Sequence, residues 1–354
     1  MRKQTDSQKV FDEYIPKEGA SSDNYVRTGV LPVDLLTKGK GFPLGKFIHI
    51  WSQAGFGKTT IIYSVIKNLV LSGESVLWVG VESSQSIAEA MGLMVNDKCI
   101  DGFKYIDISF YDELQKVTDA WLDLEGYRWM VIDSLTAVCP PVSMMKDDIL
   151  NVAIGLDARI EARYLRLYHA LLKRYRKSII LITQSRMQLD IRPGGISKEN
   201  ASGGKATEFY SDLRIKIIGN YDILSSKIEY GKGNYIAGKM GFMMAEKNRH
   251  VMPFVRIPTV ILFGIGVSNI EILFDYAKCR QMVTGQGWYT CTLDGVNIEK
   301  VQGPAKVKEW IHRNFDFFIN DFYNNVDGFF EFLAQEKVRN DKVEPWMNIG
   351  KLSQ

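Results

Sequence analysis

Short, unbroken apolar runs alternate with stretches of helical periodicity through the first half of the chain. Residues 47–51, 75–80 (SVLWVG), 129–133 (WMVID) and 178–183 (SIILIT) are runs of the kind found in strands buried on both faces, and 105–108 is a weaker candidate. After Lys58, the residues Ile62, Val65, Ile66, Leu69 and Val70 recur at helical spacing, and Gly73 is placed to end that helix. Residues 87–94 and 111–124 predict two more amphipathic helices, and 152–175 a long one. Strand and helix in alternation predict an α/β fold with a mainly parallel central sheet and helices on both faces.

The pattern changes further on. Residues 187–207 carry four glycines, a proline and many polar groups, which predicts a loop of the functional or disordered kind. From 209 to 263 apolar and polar positions alternate between Gly and Asn turns, as at Leu213, Ile215 and Ile217, and predict antiparallel hairpins that extend the sheet. Residues 269–280 and 304–314 predict helices around a hairpin at 288–297, and 315–354 is rich in phenylalanine. Residues 1–25 are polar and without apolar periodicity. The expected organisation is an N-terminal arm or linker over 1–25, suited to docking on another subunit, a core over 26–266, and a small C-terminal α/β appendage with an aromatic tail over 267–354.

Composition narrows the class without choosing it. The chain has 354 residues, 46% of them apolar, enough for a sizeable core. A net charge of +3 decides nothing about nucleic acid, because local patches govern such binding. Cys99, Cys139, Cys279 and Cys291 show no metal-ligand spacing and no small disulfide scaffold, so a reducing, cytoplasmic compartment is expected. No run is long enough to span a bilayer, and the N-terminus lacks the apolar core of a signal peptide, so no membrane partner is expected.

The chemistry concentrates where strands end. The first apolar run leads into Ser52, Gln53, Ala54, Gly55, Phe56 and Gly57, followed by Lys58, Thr59 and Thr60 at the start of a helix. A strand, a Gly-containing loop and a helix with Gly-Lys-Thr at the junction suit a phosphate: backbone N–H groups turn inward and the helix adds its positive end. Lys58 can then reach the β- and γ-phosphates, and the Thr59 hydroxyl can hold Mg²⁺. Ser52 stands where the motif usually has its first glycine, and an ordinary βα turn is the plainer alternative. Asp133 ends another apolar run and suits a Mg²⁺ ligand or its water, against the alternative of a capping acid. Glu82, just past a strand, can orient or deprotonate an attacking water, or can be a solvated loop acid. Gln184, at the head of the Gly-rich segment, can bond a γ-phosphate and release it after hydrolysis, which would tie loop order to the nucleotide; a generic polar strand end is the alternative. Arg159, Arg163 and Arg166 share a helix face, and Arg186, Arg192, Lys198 and Lys205 bring basic groups to the Gly-rich segment, as a nucleic-acid backbone requires, though Asp190, Glu199 and Glu208 offset them. Lys247 and Arg249 are surface cations by default, or reach a phosphate on an adjacent subunit.

In this order the motifs resemble the RecA family of DNA recombinases. RTGVLPVDLLTKGKGFPLGKFIHIW resembles the lead into that family's phosphate loop, VLWVGVESS its strand with the catalytic glutamate, and WMVIDSLTAVCP its Mg²⁺ strand. LITQSRM and ASGGKATEFYSDLRI resemble the strand, DNA loop and exit strand, AEKNRHVMPF the segment that touches ATP across the subunit interface, and VQGPAKVKEWI part of the C-terminal domain. The resemblance spans about residues 27–313. It implies a RecA-like P-loop ATPase core with ATP and Mg²⁺ as cofactors: Ser52–Thr60 and Asp133 bind them, Glu82 activates water, and Gln184 links ATP to the DNA loop. Arg186, Gly203, Gly204, Lys205 and Phe209 would belong to or flank that second DNA loop, with Arg192 and Lys198 inside it. Arg159 would follow the first DNA loop, which the resemblance puts near residues 143–151, and Lys247 and Arg249 would act in trans within a filament. Ser52, Glu89 where an aromatic stacks on adenine, a short N-terminal arm and an aromatic tail depart from the bacterial pattern and suit a diverged bacteriophage recombinase. The function implied is ATP-dependent strand exchange on single- and double-stranded DNA by a helical homo-oligomer, with single-strand-binding and mediator proteins as further partners. A RecA-like hexameric helicase and a non-motor ATP-switch mediator are the alternatives.

Overall fold

A computed structural model describes residues 24–82, 85–96, 98–141, 156–188, 198–201, 204–225, 235–249, 251–293 and 297–339. The central strands are β1 (Phe47–Ser52), β2 (Ser75–Gly80), β3 (Phe103–Asp107), β4 (Tyr127–Asp133), β5 (Ser178–Gln188), β6 (Lys198–Ala201), β7 (Ser211–Ser225), β8 (Tyr235–Asn248), β9 (Arg256–Leu262) and β10 (Gly266–Val267). They form one sheet in the order β10-β9-β8-β7-β1-β5-β4-β2-β3, with β6 paired to the outer half of β5. The strands from β7 through β1, β5, β4 and β2 to β3 run parallel, whereas β8, β9 and β10 add an antiparallel extension. This is the architecture expected from the alternating pattern.

The helices are α1 (Leu31–Leu35), α2 (Lys58–Leu71), α3 (Gln85–Ala90), α4 (Tyr111–Asp123), α5 (Leu156–Tyr175), α6 (Gly204–Tyr210), α7 (Asn269–Cys279), α8 (Gly303–Arg313) and α9 (Phe315–Arg339). Side chains of the parallel strands alternate between two apolar clusters, one on each face. Phe47, Leu77, Val79, Met130, Ile132, Ile179 and Leu181 point to the face covered by α4 and α5. Ile48, Ile50, Val76, Trp78, Trp129, Val131, Ile180 and Ile182 point to the face that holds α2. A period of two with both faces apolar is why these strands read as unbroken runs. On α2, Tyr63 stacks on Trp78 with ring centroids 3.9 Å apart, and the chain leaves the helix through Gly73 at φ +91°, a left-handed turn that favours glycine.

Two expectations are corrected. The Gly-rich stretch is not wholly loop: β5 runs on to Gln188 and pairs with β6, and α6 begins at Gly204. Main-chain pairing overrides a composition that suggested a loop, while residues 189–197, 202 and 203 lie outside the described residues. The segment expected as hairpins alone contributes β7 to the parallel set beside β1 before it turns to β8. The expected loop at 143–151 and the first residues of the long helix also lie outside the described residues.

The described part of the aromatic tail, Phe315–Arg339, is packed helix with a kink at Asn325. Phe318, Phe322, Phe329 and Phe330 are buried, and Tyr276 of α7 meets Phe322 and Phe329 edge to face. Tyr323 donates to Asp34 Oδ2 at 2.6 Å, and Asp34 also accepts from Thr28 N, Thr28 Oγ1 and Gly29 N. The lead into the phosphate loop is thus fastened to the C-terminal helix.

His49 sits mid-strand on β1, fully buried, with Nε2 2.8 Å from Thr183 Oγ1. Burial, with Arg214 as the second cause, pushes its imidazole down from the usual 6.5 to about 3. A group whose folded pKa is depressed contributes stability that is present above pH 6.5 and lost as pH falls toward 3. His49 is therefore expected to remove about 2 kcal/mol of stability between pH 7.5 and 5. Urea midpoints across that range should fall less in His49→Gln than in the parent; equal falls would contradict the assignment.

Candidate active site

The phosphate loop leaves the carboxyl end of β1. Gly55 and Gly57 take φ of +78° and +79°, whereas Ser52 has no such left-handed backbone and is buried with Oγ donating to Gln53 O at 2.9 Å. A side chain is therefore accommodated at Ser52, whereas at Gly57 the left-handed backbone disfavours one, and a Cβ there would also displace the tip of Ile261, 2.4 Å away. Gln53, Ala54 and Gly55 are exposed, with Phe56, Thr59 and Thr60 half-buried. Lys58 is buried and bends back over the loop, its Nζ donating to Ser52 O at 3.2 Å and Gln53 O at 2.9 Å. Burial pushes its pKa down, and the charges of Asp133 and Glu82 oppose that shift. An ammonium held only by carbonyls beside an open cradle is a cation ready for a phosphate.

The acids meet this lysine from neighbouring strands. Val81 N and Glu82 N donate to Asp133 O at 2.8 and 3.2 Å, tying the ends of β2 and β4 together, and the Asp133–Ser134 peptide is cis. Thr59 Oγ1 donates to Asp133 Oδ2 at 3.0 Å. Burial raises the Asp133 carboxyl to about 6; the Thr59 bond pulls it down, Glu82 pushes it up and Lys58 pulls it down. Ser134 Oγ donates to Glu82 Oε1 at 2.8 Å, and Gln184 Nε2 lies 3.4 Å from both Glu82 oxygens. Ser134 was not singled out in the sequence; its place directly after Asp133 was the available signal. Among the described residues no three His, Cys, Asp or Glu side chains gather as a metal site. A hydroxyl touching a buried carboxylate still fits Mg²⁺, which takes few protein ligands and completes its shell with phosphate and water.

Other predicted residues lie elsewhere. Arg159 is exposed on α5, as are Arg163 and Arg166 on the same face. Arg186 and Lys198 occupy the paired strands β5 and β6, and Gly204 opens α6. Lys205 is exposed and Phe209 is 68% exposed on α6. Arg192 and Gly203 lie outside the described residues, as do the side chains of Arg186 and Lys198. Glu89 is exposed on α3.

Lys247 and Arg249 are set back along the sheet from their own phosphate loop. Arg214 pairs with His49 on one side and Lys247 on the other, and Leu213 with Ile48 and Asn248, so Lys247 is level with His49 and Arg249 lies one residue beyond Ile48, about 10 and 16 Å of strand from Ser52 at about 3.3 Å per residue. Lys247 Nζ donates to Glu208 O at 2.6 Å and Phe209 O at 2.8 Å, capping the C-terminal end of α6. Arg249 Nη1 bonds Asp212 Oδ1 at 3.1 Å.

A six-stranded parallel core with a phosphate loop on one strand end, and acids on the ends beside it, defines a P-loop ATPase. A model of the RecA N-terminal domain matches residues 15–268, and the chain belongs to the RecA family. Protein RecA of Bordetella avium is 26% identical over 292 residues, which cover 82% of this chain and 77% of that protein. Protein RecA of Mesoplasma florum is 24% identical over 303 residues, covering 84% and 85%. Protein RecA of Lactococcus lactis subsp. cremoris is 26% identical over 299 residues, covering 83% and 73%. The chain is a RecA-type recombinase and a DNA-dependent ATPase, and the helicase and ATP-switch alternatives are not favoured.

Gly57→Ala is expected to weaken binding of a fluorescent ATP analogue about tenfold or more, because its left-handed backbone is strained by a side chain and the tip of Ile261 must also move. Unchanged affinity would contradict this account of the loop.

Proposed function

We propose that this chain forms helical filaments on single-stranded DNA and uses ATP with Mg²⁺ to run homology search and strand exchange with duplex DNA. The observation that carries the site assignment is the meeting of Lys58, Thr59, Asp133, Glu82 and Gln184 at one sheet edge. ATP lies on residues 52–60. Lys58 exchanges its two carbonyl partners for β- and γ-phosphate oxygens. Thr59, with Asp133 beside it, would hold Mg²⁺, which would supply charge neutralisation at the phosphates.

Glu82 takes the proton of the attacking water. Its carboxylate is aimed by the Ser134 hydroxyl and, more weakly, by Gln184. A γ-phosphate is a stronger acceptor for the Gln184 amide than a bond of 3.4 Å. Gln184 would turn to the nucleotide, free Glu82 to act as base, and shift the start of the β5–β6 hairpin that leads to the DNA loop. Arg186, Arg192, Lys198, Gly203, Gly204, Lys205 and Phe209 form or flank that loop, and Arg159 follows the first. Lys247 and Arg249 reach the nucleotide of the adjacent subunit; the register sets them back from their own loop, which supports that reading. Residues 1–25, 26–266 and 267–354 serve as arm, ATPase and DNA-binding core, and C-terminal unit. No helix among the described residues is long and apolar enough to cross a membrane. We place its work in the cytoplasm, beside single-strand-binding and mediator proteins. Ser52, Glu89 and the aromatic α9 favour a bacteriophage-type member.

Glu82→Gln tests the division of roles. It should leave ATP-dependent binding to single-stranded DNA intact while lowering turnover by about a hundredfold or more, as loss of a general base does. Turnover within a few-fold of the parent would remove Glu82 from the chemistry.

A further inference from the structure

The carboxylate of Asp212 is 2% exposed, at the start of β7 and beside the first residues of β1. Its Oδ1 meets Arg249 Nη1 at 3.1 Å and Lys46 Nζ at 3.5 Å. Its Oδ2 is buried with no hydrogen-bond partner. Arg249 remains 53% exposed while tied to this buried anion. Lys247 stands beside them at the end of α6, and the Glu208 carboxylate is turned to Arg214, 3.6 Å away. Three cations thus face one buried carboxylate at an edge that its own phosphate loop does not reach.

We propose that Asp212 is the positioning residue of the trans cation site. It fixes the Arg249 guanidinium, with Lys46 as a third and previously unassigned cation, for a phosphate carried by a second copy of the chain. This rests on the reading that Lys247 and Arg249 act across the subunit interface. A lock that served stability alone would gain from pairing both oxygens, because a buried, unpaired carboxylate oxygen is unfavourable. One oxygen committed to an arginine that stays half in solvent suits a different task. It narrows the poses of a long side chain before the nucleotide arrives, which strengthens binding without touching the reacting atoms. The excess positive charge left over once Asp212 is counted is what a polyphosphate requires.

Loss of this hold should weaken ground state and transition state alike. Asp212→Asn is expected to raise the KM for ATP roughly three- to tenfold in DNA-stimulated turnover, with kcat little changed. Asp212→Glu should recover part of the difference. Mixing experiments separate positioning from structure. At ATP below KM, Lys58→Ala mixed with Arg249→Ala should exceed the sum of the separate activities, because some interfaces then pair an intact phosphate loop with an intact trans face. Asp212→Asn should be restored in the same way by Lys58→Ala, and not by Arg249→Ala, which lacks the same face. If the Lys58→Ala and Arg249→Ala control fails, the trans reading is overturned and this inference falls with it. If the control succeeds but Asp212→Asn gains nothing from Lys58→Ala, or gains from Arg249→Ala, only the role of Asp212 is overturned. Asp212→Ser is the second variant if Asn does not fold; failure of both to fold would make Asp212 a structural lock and end the proposal.

Discussion

The hydrogen bonds from Val81 N and Glu82 N to the carbonyl of Asp133 join two strand ends that carry the acids of the site. Everything around the nucleotide depends on that junction. It sets Asp133 against Thr59 of the phosphate-loop helix and Ser134 against Glu82. The parallel register of β1 with β5 then brings Gln184, within β5, level with Ser52, so a third strand joins the same edge. Each contact is short-range, but together they span residues 52 to 184 of the chain. Parallel strands buried on both faces make the edge rigid, and a rigid edge can hold donors and acids in fixed relation to a phosphate.

The cations proposed to act in trans lie further back along the same sheet. Gln184 precedes the paired residues of strands β5 and β6, α6 follows them in sequence, and Lys247 caps the end of α6. In a filament the nucleotide edge and these cations would face one another across each interface. One cation that can bond either the end of α6 or a phosphate would make DNA-loop order and nucleotide state compete for the same group. That offers a physical basis for coupling without a separate messenger.

Much of this was legible because the signals are local. The strand, loop and helix around Lys58 lie within one short stretch, and the unbroken apolar runs gave the parallel core. Ser52 was legible as a tolerated departure, since Gly57, Lys58 and Thr59 do the close phosphate work; its backbone outside the left-handed region is what the structure adds. The Gly-rich stretch misled, since β5 continues to Gln188 only because Lys198–Ala201 returns to pair with it. The contacts of Glu82 with Gln184, and of Asp212 with Arg249, join residues 102 and 37 positions apart, and only the sheet brings them together. The phenylalanines of α9 sit at helical spacing, yet the packing of Phe322 on α7 and the bond of Tyr323 to Asp34 are tertiary information.

The most direct test of the whole account is steady-state ATP hydrolysis with and without single-stranded DNA, at low and at moderate salt. The account predicts strong stimulation by the DNA, fading as salt rises, because the loops held through Gln184 bind a charged backbone. Turnover that is indifferent to DNA at both salt concentrations would contradict it.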